Sequence, residues 1–490
     1  MNRKILAIDF GASSGKMAYG EYDGSRLNIR EYKDFANRPV DIGCALYWDV
    51  FSFYHQILDG LDYFKKKYGN MDTIGIDTWG ASYGLLDQKG RLKEPVYHYR
   101  DVRTKTTVED MKTVMDTYEL FRLTGCQCNR TYTLPQLYSY RTSGSEVLDS
   151  SDRMLLLPDL LGYFLTGVDT TEMTIAGTSC LMETNQEQWS SEVANRFGIP
   201  KRLYTEIVEP GSIKGKLRQD VRTLLGMNET RLVATVGHDS AAAVAAIPNF
   251  GKNKLYISIG TNVSMGVERT ESLLTKEAYL QGFKNTGGID RSKIVYRDFS
   301  ACWHLNEFIR TRREQGILYS FQDLIDMVLQ NKSRDIPWFD VEEASFNDAG
   351  GDFCEKMNRY FRKTGQRVLT EDADFARSIY ESIVLRIRRY AYALQKLGVV
   401  YREVSVINGG VRNKLLMQLI SNAMGCEIKA GMEYATLVGN LLTQLYGTQD
   451  VKDVKEMRNL SADSFHMQVY SPEDQAYWSM AAGKYEEIMG

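Results

Sequence analysis

The stretch 4-KILAIDFGASSGKMAYGEYDG-24 decides how this chain is read. Apolar β-formers flank a cluster of small residues, the pattern of a strand, a Gly-rich turn and a second strand. The same grammar returns at 254-KLYISIGTNVSMGVE-268: a lysine, an apolar strand, a turn of glycine with small hydroxyl and amide residues, then another strand. The turn glycines Gly11 and Gly260 stand about half the chain apart. Two structurally related domains, 1–246 and 247–490, are therefore expected, divided near 247-IPNFGKNK-254, where Pro, Gly and Asn gather.

Other segments fill in an α/β pattern. Val50, Phe53, Tyr54, Ile57 and Leu61 recur at helical spacing over 48–68, and 73-TIGIDTWG-80 has the run of a buried strand. The stretch 154-MLLLPDLLGYFLTG-167 predicts a buried helical turn. Phe375, Ile379, Ile383, Ile387, Tyr390, Leu394 and Leu397 form one stripe of a long amphipathic helix near 373–397. Beyond it, 404-VSVINGGVRNKLLMQLISNAMGCEIKA-430 has the strand, glycine pair, helix and strand of a parallel α/β unit.

Composition excludes several function classes. A chain of 490 residues, 43% hydrophobic and 25% charged with net charge −3, has no overall basic field for nucleic acid, and no nucleic-acid partner is expected. The first apolar run is too short for a signal peptide and is broken by Asp9 and Gly11, and no run approaches the roughly 20 apolar residues that cross a bilayer, so no membrane role is expected. Seven scattered cysteines argue against a disulfide framework and fit a reducing, cytoplasmic location. Cys126 and Cys128 lack the second pair or nearby histidine of a zinc site, and the five histidines are dispersed.

The chemistry rests on a few turns. Gly11, Ala12, Ser13, Ser14, Gly15 and Lys16 offer close backbone N–H groups, hydroxyls and an ammonium suited to phosphate, and Asp9 just before them suits Mg²⁺. The spacing is not that of a Walker A loop, and a tight hairpin with a solvated lysine is the competing reading. Gly260 and Thr261 repeat the arrangement, and Gly409 and Gly410 between strand and helix leave room for a flat base or ribose; plain turns remain the alternatives. In 234-ATVGHDSAAAVAAIP-248, Asp239 opens an Ala-rich helix, where it either caps the helix or accepts the proton of an acceptor hydroxyl. His238 is either a satisfied buried histidine or a donor to substrate. Trp79 with Gly80 forms either a sugar-facing wall or plain core. The cluster 97-YHYRDVRT-104 suits a surface ion-pair network.

In their order along the chain, 7-AIDFGASSGK-16, 73-TIGIDTWG-80, 99-YRDVRT-104, 237-GHDSAAAV-244, 260-GT-261, 408-NGGVRN-413 and 436-TLVGN-440 resemble the FGGY carbohydrate kinases, within the actin-like ATPase superfold. The resemblance runs nearly end to end. It implies an α/β fold of two actin-like ATPase (ribonuclease H-like) domains with an interdomain active-site cleft, the first binding sugar and phosphate and the second nucleotide. It implies ATP and Mg²⁺ as cofactors, Asp239 as general base, and nucleotide contacts at the first turn, Thr261, Asn306 and Gly410. Substrate contacts would fall on Gly80, His238, Ser240 and Asp298. The implied substrate is a small-molecule ketose, L-rhamnulose first and L-fuculose or another deoxyketose or pentulose second, acted on by a monomer or homodimer. Ser82 stands where that branch has an acidic residue, Asp298 where it has asparagine and Gly237 where it has serine, which leaves the sugar open. From other classes, a catalytically silent nucleotide-binding sugar sensor and a hydrolase built on His238 and Asp239 are the alternatives. The hydrolase lacks a nucleophile motif.

Overall fold

The computed structural model describes residues 2–12, 14–251, 253–348 and 350–489. The chain forms two compact units, Met1–Gly251 with Glu268–Val295 and Tyr434–His466, and Lys252–Val267 with Tyr296–Glu433 and Met467–Gly490. The sequence expectation of a single division at 246/247 thus meets an interleaved chain, because two later segments pack with the first unit.

The first unit is built on a six-stranded sheet. Its strands are β1 (Arg3–Phe10), β2 (Ser14–Tyr22), β3 (Leu27–Ala36), β4 (Thr73–Thr78), β5 (Ile213–Lys216) and β6 (Arg231–Val233), in the order β5-β6-β4-β1-β2-β3. The expected hairpin is present: β1 and β2 pair antiparallel, while β1 with β4 and β4 with β6 pair parallel. Both faces of β1 are covered at its centre, which is why Ile5–Ile8 are four consecutive apolar residues. Leu6, Ile8 and Phe10 join the core of helix α1 (Val50–Tyr68), which buries Phe53, Ile57, Leu61 and Phe64. Asp49 caps α1 by accepting from Ser52 N at 3.0 Å, which sets its start two residues after position 48.

The other face of the sheet meets the late helix Ala435–Gly447, whose Gln444 Nε2 donates to the Leu6 carbonyl at 3.0 Å and whose Gln444 Oε1 accepts from Thr73 Oγ1 at 2.7 Å. The same helix crosses the short helix α2 (Asp239–Ala245) so closely that a Cβ on Gly439 would sit 1.8 Å from the Ala242 carbonyl oxygen. The stretch 154–167 is more than a helical turn. A strand, Arg153–Leu156, leads directly into the helix Leu157–Thr166, which Gly167 ends at φ 79°. Four successive apolar residues look alike in a buried strand and a buried helix, so periodicity alone does not separate them.

The second unit repeats the first unit's strand grammar. Strands β7 (Lys254–Ile259) and β8 (Asn262–Arg269) form the expected second hairpin, and β9 (Lys293–Ser300) follows. β10 (Glu403–Ile407) pairs parallel with β7, β11 (Ile428–Gly431) parallel with β10, and β12 (Met467–Tyr470) antiparallel with β11. Its helices include α3 (Cys302–Glu314), α4 (Asp372–Lys396) and α5 (Lys414–Met424), and α4 buries the predicted stripe from Phe375 to Leu394. No helix among the described residues is long and apolar enough to cross a membrane.

Candidate active site

At the end of β1 the chain turns through Gly11 and Ala12, and β2 resumes at Ser14. Ser13, expected in the phosphate turn, lies outside the described residues. A Cβ on Gly11 would come within 2.7 Å of the Ser14 carbonyl oxygen, so the turn closes this tightly only with glycine. Asn37 Nδ2 donates to the Gly11 carbonyl at 2.6 Å. Lys16 is not a loose solvated lysine: it pairs with Asp34, and its ammonium lies 4.8 Å from the centroid of the Tyr434 ring.

Asp9 has Lys16 as its cross-strand neighbour on β2 and Asp77 as its neighbour on β4. One oxygen of each carboxyl, Oδ1, is buried without a hydrogen-bond partner. Asp77 Oδ2 accepts from Asn440 Nδ2 at 2.6 Å, which brings the late helix into the site. Burial raises the Asp9 carboxyl above the usual range, and the nearby charge of Asp239 raises it further. Burial raises Asp77 as well, with Asp9 adding to the rise and Asn440 opposing it. Two adjacent acids, Asp77 buried and Asp9 half-buried, favour a proton or a cation between them. Mg²⁺ suits this place, because it takes one or two carboxylates and completes its shell with water and phosphate oxygens. Among the described residues no group of three or more His, Cys, Asp or Glu side chains is arranged to hold a metal. The sequence reading singled out Asp9 and passed over Asp77, although an acid inside the apolar run 73–80 is itself a signal.

Asp239 is the first residue of α2, and the cap position that was an alternative role for it belongs to His238. Its Oδ1 accepts from Ser240 N at 2.5 Å and Ser240 Oγ at 3.1 Å, and lies 3.5 Å from His238 Nε2. The Asp239 side chain is 29% exposed, whereas His238 is buried. A carboxylate that is half-open yet fixed in direction can meet an incoming hydroxyl. The preceding segment is docked on the sheet: Thr78 N donates to the Gly237 carbonyl at 3.0 Å, and Thr78 and His238 form a parallel bridge.

The loop after β4 is tightly determined. Trp79 is packed 4.3 Å from the Trp48 ring with its Nε1 donating to Ser82 Oγ at 2.8 Å, so its indole sits in the core with 6% of its surface exposed. Ser82 is itself buried and its hydroxyl is engaged by that indole. Gly80 approaches Thr178 so closely that a Cβ would lie 2.7 Å from the threonine Cβ. Ala81 adopts φ 70°, a left-handed conformation costing about 1–2 kcal/mol in a residue with a Cβ. Three side chains hold it there: Ala81 N donates to Thr178 Oγ1, and its carbonyl accepts from Thr133 Oγ1 and Gln136 Nε2. The 97–104 cluster is less a surface network than expected. Asp101 is buried and accepts from Leu46 N and Arg103 N, and the Arg103 guanidinium lies 3.8 Å from the Tyr97 ring centroid.

In the second unit the predicted turns adjoin one another. Gly260 and Thr261 are exposed at the tip of the β7–β8 hairpin, and the Thr261 carbonyl accepts from Trp303 N at 3.2 Å at the start of α3. Asn306 is exposed one turn further along α3. Gly410 packs against the end of β7, where a Cβ would be 2.3 Å from Ile259 Cγ2. The residue with positive φ in this turn is Asn408, at 69°, whose Nδ2 donates to Ser258 Oγ at 2.8 Å. Asp298 lies on β9, half-buried, with its charge felt by the Tyr256 hydroxyl.

Known proteins share this architecture. A ligand-bound xylulose kinase from Lactobacillus acidophilus superposes with TM-score 0.82 at 15% identity over 99% of this chain and 96% of that one. A glycerol kinase with ADP from Plasmodium falciparum gives 0.83 at 15% identity over 99% and 97%. At such identities the likeness speaks to the fold alone. Sequence relatives are nearer: a rhamnulokinase of Bacteroides thetaiotaomicron is 33% identical over 485 residues, 98% of each chain, and one of Enterococcus faecalis is 31% identical over 475 residues, 96% of this chain and 94% of that one. The N-terminal domain of the FGGY family of carbohydrate kinases matches residues 4–246 and its C-terminal domain residues 255–448. With both halves matched and the carboxylates gathered beside the first turn, the chain belongs to the FGGY family of carbohydrate kinases.

Proposed function

We propose that this carbohydrate kinase transfers the γ-phosphoryl group of ATP, bound with Mg²⁺, to a hydroxyl of a ketose, with L-rhamnulose as first substrate. The observation that carries the substrate is the 33% identity to a rhamnulokinase across 98% of both chains. Asp239 is the general base. Its carboxylate takes the proton of the sugar hydroxyl as that oxygen bonds to the γ-phosphorus and ADP departs. Asp9, with Asp77 beside it, would hold Mg²⁺, which when bound neutralises charge on the phosphate oxygens. Gly11, Ala12, Ser14, Gly15 and Lys16 receive the phosphates, and Gly260, Thr261, Asn306, Gly409 and Gly410 form the nucleotide site of the second unit. Gly80, His238 and Ser240 contact the sugar. Trp79 shapes that site from within the core.

A second reading, another deoxyketose such as L-fuculose, draws on Ser82. Its hydroxyl is engaged by Trp79 where an acidic side chain was expected. A panel of ketoses with ATP and Mg²⁺, read by ADP release, separates the two: highest kcat/KM with L-rhamnulose supports the first, and a different leading sugar replaces it. Asp239→Asn is expected to lower kcat by roughly 10²–10⁴-fold while nucleotide affinity is kept. Undiminished turnover in that variant removes the base assignment.

A further inference from the structure

Glu172 lies outside every motif that pointed to the reaction, yet it holds the segment that carries Asp239. It is 2% exposed. Its Oε2 accepts from Gly237 N at 2.9 Å, from Thr174 Oγ1 at 2.6 Å and from Ile175 N at 3.1 Å, and its Oε1 accepts from Thr174 N at 2.8 Å. Thr174 Oγ1 in turn accepts from His238 N at 3.3 Å. The two amides immediately before Asp239 are therefore tied to one carboxylate, the first directly and the second through a hydroxyl. Glu172 is itself anchored, since its own N–H donates to Asp159, which is paired with the buried Lys214 Nζ at 2.5 Å.

Capping the short helix Met173–Ala176 accounts for the bonds to Thr174 and Ile175. It does not account for the bond to Gly237, which spans 65 positions of sequence. A Cβ at position 237 would stand 2.8 Å from Glu172 Oε2, so glycine there, in place of the serine expected from the family resemblance, lets the carboxylate reach the backbone. With Thr78 gripping the Gly237 carbonyl from the sheet side, the segment is held from two directions.

We propose that Glu172 is a positioning residue: by fixing the Gly237–His238 backbone, directly and through Thr174, it aims the Asp239 carboxylate at the hydroxyl to be phosphorylated. The inference rests on Asp239 being the base. A displacement of about 1 Å in a reacting group costs on the order of 10²-fold in rate.

The test is a double-mutant cycle of Glu172→Gln and Asp239→Asn, with kcat and both KM values measured on the ketose that leads the panel and folded fraction taken from thermal melts. Glu172→Gln is expected to lower kcat by about 10–100-fold with the KM for ATP little changed. Added to Asp239→Asn it should lower kcat no further, because no base remains to be aimed. Losses that multiply in the double variant, or an unchanged kcat in folded Glu172→Gln, overturn the positioning role while leaving the base in place. High activity in Asp239→Asn overturns the base and the positioning role together. Should Glu172→Gln fail to fold, Thr174→Val, which keeps the volume but removes the hydroxyl between Glu172 and His238, carries the same expectation. Additive behaviour or full activity there overturns it.

Discussion

At the scale of single residues the first unit concentrates acids that burial holds away from their ordinary ionisation. Burial pushes the Glu172 carboxyl from its usual 4.5 up to about 7; the bonds from Thr174 oppose this and the charge of Asp159 adds to it. The folded protein therefore binds this proton more tightly than the unfolded chain does. Between about pH 4.5 and 7 the folded state holds the extra proton, so stability from this group falls as pH rises through that window and levels off above it. Glutamine cannot titrate. The melting temperature of the parent minus that of Glu172→Gln should decline across the window, and a difference that stays flat would show an unperturbed carboxyl. Asp9 and Asp239 were legible in the sequence because each sits in a motif with small neighbours. Asp77 and Glu172 were not singled out, since what makes them informative is their partners, Asn440 and Gly237, far away along the chain.

Elements follow rules of their own. The stripes of α1 and α4 were legible because helical spacing survives any packing, and the parallel run from β10 through α5 to β11 follows from the same grammar. The crossing of α2 with the late helix Ala435–Gly447 was not, because it depends on an absent side chain. In an ordinary helix interior Gly→Ala stabilises by roughly 0.5–1 kcal/mol. At Gly439 the added methyl would meet the Ala242 carbonyl at 1.8 Å, and the two helices must part. Gly439→Ala is expected to destabilise by about 1–3 kcal/mol, as overpacking does, and to lower kcat because α2 carries Asp239. Denaturant unfolding with kinetics checks both effects, and a stabilised variant would refute the close crossing. On the same helix Asn440→Leu leaves the buried Asp77 Oδ2 without its partner, a loss of about 1–3 kcal/mol, while the Gln444 amide keeps its bond to the Leu6 carbonyl. The midpoint of urea unfolding measures it.

At the scale of the whole molecule the two units interleave along the chain, and the first borrows Tyr434–His466 from between the second unit's strands β11 and β12. The late helix supplies Asn440 to Asp77 and Gln444 to Leu6 and Thr73, polar groups buried on β1 and β4. A fragment of residues 1–251 is therefore expected to lack a cooperative unfolding transition by circular dichroism. Joining residues 268–295 and 434–466 to it should restore one, and a cooperative transition in the short fragment would show the late helix to be dispensable. The sequence by itself determined the paired hairpins and the α/β class, because strand periodicity and small-residue turns are local properties. Only the tertiary structure decided which acids share a place, that Trp79 lies within the core, and that Glu172 reaches the backbone ahead of Asp239. Those outcomes depend on desolvation and close approach between residues remote along the chain, which no local pattern encodes.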